Sequence, residues 1–334
     1  MINGKFFVIL HAKTEKDDMR YGIIGSGAIG GYYGGKLAKA GQEVHFLFRS
    51  DYEYVKENGL QIDSCDGSFH IRANAYLFTT DMPQCDVVLV CLKSVNNGKL
   101  KELLPPLLHT PTPQPAGQPP SGRGANTLVV LIQNGIGVEQ DVQRDFPDVQ
   151  LAAGLAFICS AKTEPGRVNH QCYGSINLAN YSCRDEALMQ AVVEEFRAAD
   201  IETGLVEYNE ARWKKAVWNM PFNGMTVALH AQTDELLKHP DTRKLIREQM
   251  MEVVGAARAL GVNGVDEAFV EKMIKMTDEM TPYSPSMRLD YDFHRRMEIY
   301  YLYTRPIEIA REAGFRMSKL EMLEAELKFL EKNL

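Results

Sequence analysis

The stretch RYGIIGSGAIGG, residues 20–31, decides how this chain is read. Five residues of strand character run into Gly25-x-Gly27-x-x-Gly30, and a helical pattern, AIGGYYGGKLAKAG, follows with Gly41 at its C-terminal end. In a dinucleotide-binding turn, Gly25 permits the tight bend, Gly27 lets backbone approach a pyrophosphate, and Gly30 lets helix and strand pack closely. The helix N-terminus adds unpaired N–H groups and a partial positive charge. Gly25, Ser26, Gly27, Ala28, Ile29 and Gly30 are therefore the expected cofactor cradle. The bland alternative, a glycine-rich turn without a ligand, is disfavoured by the strand–turn–helix setting.

Outward from this motif, short apolar runs alternate with helical stretches. EVHFLFR (43–49), DVVLVCLK (86–93) and TLVVLIQNG (127–135) are further strands, the last two buried by their unbroken Val/Leu runs. Strands alternating with helices predict an α/β fold, a Rossmann-type doubly wound parallel sheet. Residues 151–207 complete it with more short strands, the helix DEALMQAVVEEFRAAD and a last strand, IETGLVE. From Tyr208 the alternation stops, and helical stretches at 208–230, 241–260, 264–280, 284–314 and 317–333 predict an all-α domain. The expected division is an N-terminal extension at 1–18, a cofactor domain at 19–207 and a helical substrate domain at 208–334. The extension carries KFFVIL without a small-residue cleavage site, so a signal peptide is disfavoured; it is open between an extension from an upstream start codon and an extra edge strand. The segment HTPTPQPAGQPPSGRGAN, residues 109–126, is too rich in Pro and Gly to support a core and reads as a flexible insertion at the rim of the cofactor domain, a solvated loop being favoured over a Pro-rich partner-binding ligand.

Bulk properties narrow the function. The 334 residues suit two domains, and a net charge of −7 argues against nucleic acid or an anionic membrane as partner. No run of about 18 apolar residues exists to span a membrane. The six scattered cysteines form no CxxC and no zinc spacing, so no metal is expected and the thiols read as reduced, in a cytoplasmic protein. A small anionic substrate remains compatible with the charge, and a homodimer is open to the chain.

The second strand ends in Arg49, where NAD-binding versions place an acid for the ribose hydroxyls. An arginine can clamp a 2′-phosphate, which favours NADP(H), although Asp51 stands two residues on. Lys93 and Asn134 follow two more strands, at the edge where cofactors lie, and should face the cofactor or substrate. Capping of a loop is the alternative for Asn134.

In RWKKAVWNMPFN, residues 212–223, Lys215, Asn219 and Asn223 recur at a spacing of four, on one helical line about 6 Å apart per step. Asn is a poor helix former, so two on one stripe need a reason. Lys215 can protonate an alkoxide formed by hydride addition, while the amides hold a substrate. Lys214, about 100° around the helix, is the rival donor. Pro221 kinks the helix or ends it. Ser286 and Glu298, twelve apart, are about 3.3 turns distant and expected roughly on one side of a helix. Ser286 can also cap a helix, and Glu298 can pair with Arg295.

GxGAIGG, the strand-end Arg49, V-x-L-K, Q-N-G-x-G, the K-x-x-x-N-x-x-x-N helix and the later Ser286 and Glu298 together resemble the ketopantoate reductase family over nearly all of residues 20–315. The resemblance implies reduction of 2-dehydropantoate to (R)-pantoate with NADPH, in a cleft between a Rossmann domain and a helical domain of the 6-phosphogluconate dehydrogenase C-terminal-like type. It also implies cofactor contacts from Gly25 to Gly30 and from Arg49, Lys93 and Asn134, and substrate contacts from Lys215, Asn219, Asn223 and Ser286. It makes Lys215 the catalytic acid and puts Glu298 beside it and the cofactor. The sequence departs from the family's E-I-D-Y-x-N-G after the glutamate, reading Glu298-Ile299-Tyr300-Tyr301-Leu302-Tyr303-Thr304, and has Thr233 where some relatives have asparagine. A larger or more aromatic pocket is one expectation from this. Rival functions are reduction of another small 2-oxo acid and a regulator that binds NADP(H) without turnover.

Overall fold

A computed structural model of the chain describes residues 19–109, 127–280, 282, 284–332 and 334. The expected extension 1–18 and the insertion from Thr110 onward lie outside them. The elements in order are β1 (Arg20–Ile24), α1 (Ala28–Lys39), β2 (Glu43–Leu47), α2 (Tyr52–Asn58), β3 (Leu60–Ser64), β4 (Phe69–Ile71), β5 (Asn74–Tyr76), β6 (Val87–Val90), α3 (Leu100–Leu103), β7 (Leu128–Leu131) and α4 (Val138–Asp145). β8 (Gln150–Glu164), β9 (Arg167–Asn180), α5 (Glu186–Ala198) and β10 (Leu205–Val206) follow. The rest is helical: α6 (Tyr208–Ala228), α7 (Thr233–Lys238), α8 (Pro240–Ala259), α9 (Glu267–Glu279), α10 (Ser286–Asp292), α11 (Arg305–Glu312) and α12 (Ser318–Glu331).

One sheet of ten strands runs β4-β3-β9-β8-β7-β6-β1-β2-β5, with β10 beside β9. From β8 to β5 it is parallel, as alternation with helices requires; β8 and β9 pair antiparallel. Every residue of β6 and β7 is buried, because both sheet faces are covered. Ile23, Leu89 and Val130 pack toward Leu37, Val192 and Phe196 of α1 and α5 on one face. Ile24, Val90 and Leu131, alternating to the other face, meet Leu100, Val138 and Val142 of α3 and α4.

Several expectations are corrected. The short strands expected in 151–207 are one long antiparallel hairpin, turning at Gly166 (φ +65) and carrying three register irregularities that break its alternation. IETGLVE contributes only the two residues of β10. The stretch 284–314 is not one helix: α10 ends at Asp292, residues 295–298 are irregular, and a π-helical turn at Tyr300–Thr304 leads into α11. His294 takes φ +52 and Arg295 N donates to Asp290 O, which turns the chain out of the helix. Conversely, α6 runs unbroken through Pro221. Its N-terminus is capped by Glu207, whose carboxylate accepts from Asn209 N and Glu210 N, and its interior buries Trp213, Val217, Met220 and Phe222. The residues flanking the insertion meet at the N-terminal edge of β7, where His109 N donates to Thr127 Oγ1 at 2.9 Å. That rim is opposite the strand ends that carry the glycine motif. No helix among the described residues is long and apolar enough to cross a membrane.

Candidate active site

The glycine turn is tight for a physical reason. Gly25 has φ +97, and a Cβ there would lie 2.6 Å from Leu92 N of the neighbouring strand end. At Gly27 a Cβ would meet nothing within 4 Å, so the backbone is open to a ligand on that side. The first turn of α1 holds no acid, and no side chain caps it, so its positive end is available to an anion. Ser26 Oγ is buried and has no partner among the described residues. An open backbone, an anion-ready helix end and a buried hydroxyl left to bond suit a pyrophosphate; the cradle from Gly25 through Ala28 and Ile29 to Gly30 fits a dinucleotide.

Arg49 is exposed after β2 and makes no ion pair among the described residues. Asp51, the acid that could have served a ribose, is spent: it accepts from Lys162 Nζ at 2.7 and 2.9 Å, from Ser50 Oγ and from Gly166 N. Lys93, just past β6, reaches across to the helical domain and pairs with Asp290 of α10. Asp290 is 1% exposed, Arg295 Nε bonds the same oxygen at 2.9 Å, and the other oxygen has no partner among the described residues. Lys93 thus bridges the two domains in this structure. Asn134 sits half-buried past β7. The next residue, Gly135, has φ +104, and a Cβ there would fall 2.4 Å from Tyr301 O. Only glycine lets this loop close on the π-helical turn, where Ile136 N bonds Tyr301 O at 2.9 Å.

The cleft is completed by α6. Arg212, Lys215 and Asn219, on successive turns, line it with Gly135, Ile136, Tyr301 and Leu302. Lys215 is half-buried and donates to Ala156 O of β8 at 2.8 Å. Burial first, and then the fixed charge of Arg212, push its pKa down to about 7; the carboxylates of Glu298 and Glu139 oppose this. The Asn219 amide has no hydrogen bond among the described residues, so its groups remain for a ligand. Lys214 is turned away: it pairs with Glu210 and lies over the Phe269 ring.

The remaining expected residues are placed differently. Asn223 is buried with its amide in use, Oδ1 accepting from Met287 N at 3.2 Å and Nδ2 donating to Asn219 O at 3.0 Å. It holds the start of α10 against α6. Ser286 does not cap; Pro285 occupies that position, and Ser286 opens the helix half-exposed. Glu298 lies outside any shared helix with Ser286. Its Oε1 accepts from both Ser94 N and Ser94 Oγ at 2.7 Å, tying the helical domain to the loop after β6. Arg295, the alternative partner for Glu298, pairs with Asp290 instead. The tyrosines that depart from the family pattern do not simply enlarge a pocket. Tyr303 is fully buried with its hydroxyl on Met220 O, and Tyr301 bonds Asp141 while its ring edges the cleft.

Sequence reasoning missed Asp290, Ser94 and the buried pair Arg212–Glu139. For Arg212 a signal existed, since it stands one turn before Lys215; for Asp290 and Ser94 none did. It also missed the convergence of the adjacent Cys65 and Asp66 with the distant His170, whose ligand atoms lie within 4.8 Å of one another. Ser64 Oγ already bonds His170 Nδ1 at 2.8 Å, and burial raises the Cys65 thiol, so the group offers no ready metal site.

A glycine-cradled strand end facing a helix that presents a low-pKa amine and a free amide defines a two-domain oxidoreductase that uses a nicotinamide dinucleotide. The Ketopantoate reductase PanE/ApbA family model matches residues 21–182, and the model of its C-terminal domain matches residues 207–331. The 2-dehydropantoate 2-reductase of a Nostoc species is 39% identical over 322 residues, covering 94% of this chain and 96% of that protein. Crystal structures of 2-dehydropantoate 2-reductases from Geobacter metallireducens (34% identity, TM-score 0.85, covering 93% and 99% of the two chains) and Methylococcus capsulatus (32%, 0.80, 94% and 97%) share the fold. The chain belongs to the ketopantoate reductase family.

Proposed function

We propose that this protein reduces 2-dehydropantoate to (R)-pantoate with NADPH in the cytoplasm, residues 19–207 serving as cofactor domain and 208–334 as substrate domain. The observation that carries the reading is Lys215, an amine brought near neutrality in a cleft it shares with Asn219 and the loop of Asn134. NADPH, when bound in the cradle, supplies a hydride to the ketone carbon. The ketone oxygen then gains negative charge, and Lys215 donates its proton there, leaving the alcohol; an acid near the working pH does this best. Asn219 bonds a polar group of the substrate and fixes the ketone against the cofactor face. Glu298 holds positive charge on Lys215 and fastens the two domains through Ser94. Ser286 at the start of α10 takes the substrate carboxylate in this reading, and Asn223 acts by anchoring that helix. Arg49 takes the 2′-phosphate, since Asp51 is occupied, and Lys93 and Asn134 border the cofactor. Both Tyr301 and Tyr303 are committed to protein contacts, to Asp141 and to Met220 O.

The test is NADPH oxidation with 2-dehydropantoate compared with other small 2-oxo acids of similar size. The proposal expects 2-dehydropantoate to have the highest kcat/KM. Equal or greater kcat/KM with an unrelated 2-oxo acid would overturn the substrate assignment, and cofactor binding without any oxidation would overturn the enzyme assignment.

A further inference from the structure

One buried charged unit in the cleft is given no step in the reaction proposed above. Arg212 is 2% exposed and Glu139, from α4 of the other domain, is fully buried; the two form an ion pair. Tyr208 Oη donates to the second oxygen of Glu139 at 2.7 Å, and Arg212 Nη1 donates to Gln133 O at 2.7 Å. Gln133 immediately precedes Asn134. We propose that Arg212, fixed by Glu139, is a positioning residue of the active site: it joins the helix that carries Lys215 to the loop that carries Asn134, and it keeps a permanent positive charge one turn from the Lys215 amine. The inference rests on the role given to Lys215 under the proposed function.

Three observations separate this role from packing. A buried ion pair adds little stability over a well-packed apolar pair, so stability alone does not account for it. The pair sits at the seam between the domains, where its bonds set the register of two site-bearing elements. Arg212 also lines the cleft and leaves Nε buried without a partner among the described residues, a cost that a purely structural arginine would avoid. The charges around Lys215 are Arg212 on its own helix, Glu139 from α4 and Glu298 before the π-helical turn, with the neutral Ala156 O of β8 as its hydrogen-bond acceptor. Arg212 opposes the protonated amine, and the two carboxylates favour it.

The sign follows from the chemistry. Reduction needs Lys215 protonated, so kcat/KM falls as pH rises through its pKa. Removing the Arg212 cation lets the amine keep its proton to higher pH, and the falling limb moves up. The experiment is the pH profile of NADPH oxidation for the wild type, Arg212→Met, Arg212→Lys and the paired Arg212→Met/Glu139→Gln, with Lys215→Ala as control. The paired variant leaves no lone buried charge, so it reads the effect if the single variant fails to fold. Expected is a limb displaced upward by about one pH unit in Arg212→Met, a smaller upward shift in the pair, and a wild-type limb in Arg212→Lys. A limb that stays in place in the folded methionine variants, with turnover merely reduced, would make Arg212 structural and overturn the inference. If Lys215→Ala keeps the wild-type rate and limb, it is instead the role of Lys215 that fails.

Discussion

Arg49→Glu should convert a strong preference for NADPH into a preference for NADH. The guanidinium is exposed after β2 and meets no acid, while burial of Asp51, which alone would raise its pKa, is outweighed by the bonds from Lys162, Ser50 and Gly166. Arg49 therefore has its charge free for a 2′-phosphate. Losing one charge-assisted contact costs about 1.5–3 kcal/mol. A glutamate near a phosphate of charge close to −2 adds repulsion, about 1 kcal/mol per unit charge at about 4 Å in water. The sum, roughly 4 kcal/mol, corresponds to about 10³-fold weaker NADPH binding. NADH lacks the phosphate and should change by only a few fold. Fluorescence titration of both cofactors, at low and high salt, reads this directly, and the wild-type advantage for NADPH should shrink as salt rises. Equal losses for NADPH and NADH would refute the 2′-phosphate assignment. Lys162→Met, which frees the Asp51 carboxylate beside the same place, should weaken NADPH in the same direction by less.

Lys215→Met should be more stable than the wild type at pH 6. Lys215 has a folded pKa of about 7 against 10.5 unfolded, so its charge costs stability in full below pH 7, and the cost is relieved as pH rises toward 10.5. The whole shift is worth roughly 5 kcal/mol. Partial solvent access and the lost Ala156 bond reduce the expected gain to about 2 kcal/mol, read by urea unfolding. An advantage that does not shrink between pH 6 and pH 10 would contradict a strained cation. Gly135→Ala adds a Cβ against Tyr301 O at a positive φ, so it should cost about 2–4 kcal/mol and lower kcat by displacing Asn134. A variant with wild-type Tm and kcat would show that the loop adapts.

Much of this was legible because local rules and tertiary demands coincide. Gly25-x-Gly27-x-x-Gly30 after an apolar strand states its own geometry, and Lys93 and Asn134 follow strands whose unbroken Val/Leu runs require cover on both faces. Lys215 and Asn219 could be placed because i, i+4 spacing fixes a helix face whatever surrounds it. What failed depends on contacts distant in sequence. Residues 286–304 contain neither Gly nor Pro, so nothing announces that the helix stops at Asp292; the turn is made by Arg295 bonding back to Asp290. The β8–β9 hairpin hides its length behind register shifts that disrupt the period of two. Asn223 belongs to the stripe by spacing, yet the start of α10 claims its amide. Arg212 and Glu139 are 73 residues apart, and only the folded seam brings them together.

The central claim is that Lys215 delivers the proton in the cleft. Its most direct test is kcat for the wild type and Lys215→Ala at pH 6, with NADPH and 2-dehydropantoate both saturating. Loss of a positioned acid predicts a fall on the order of 10²-fold or more with NADPH affinity retained, whereas a kcat within about twofold of the wild type would place the proton donor elsewhere.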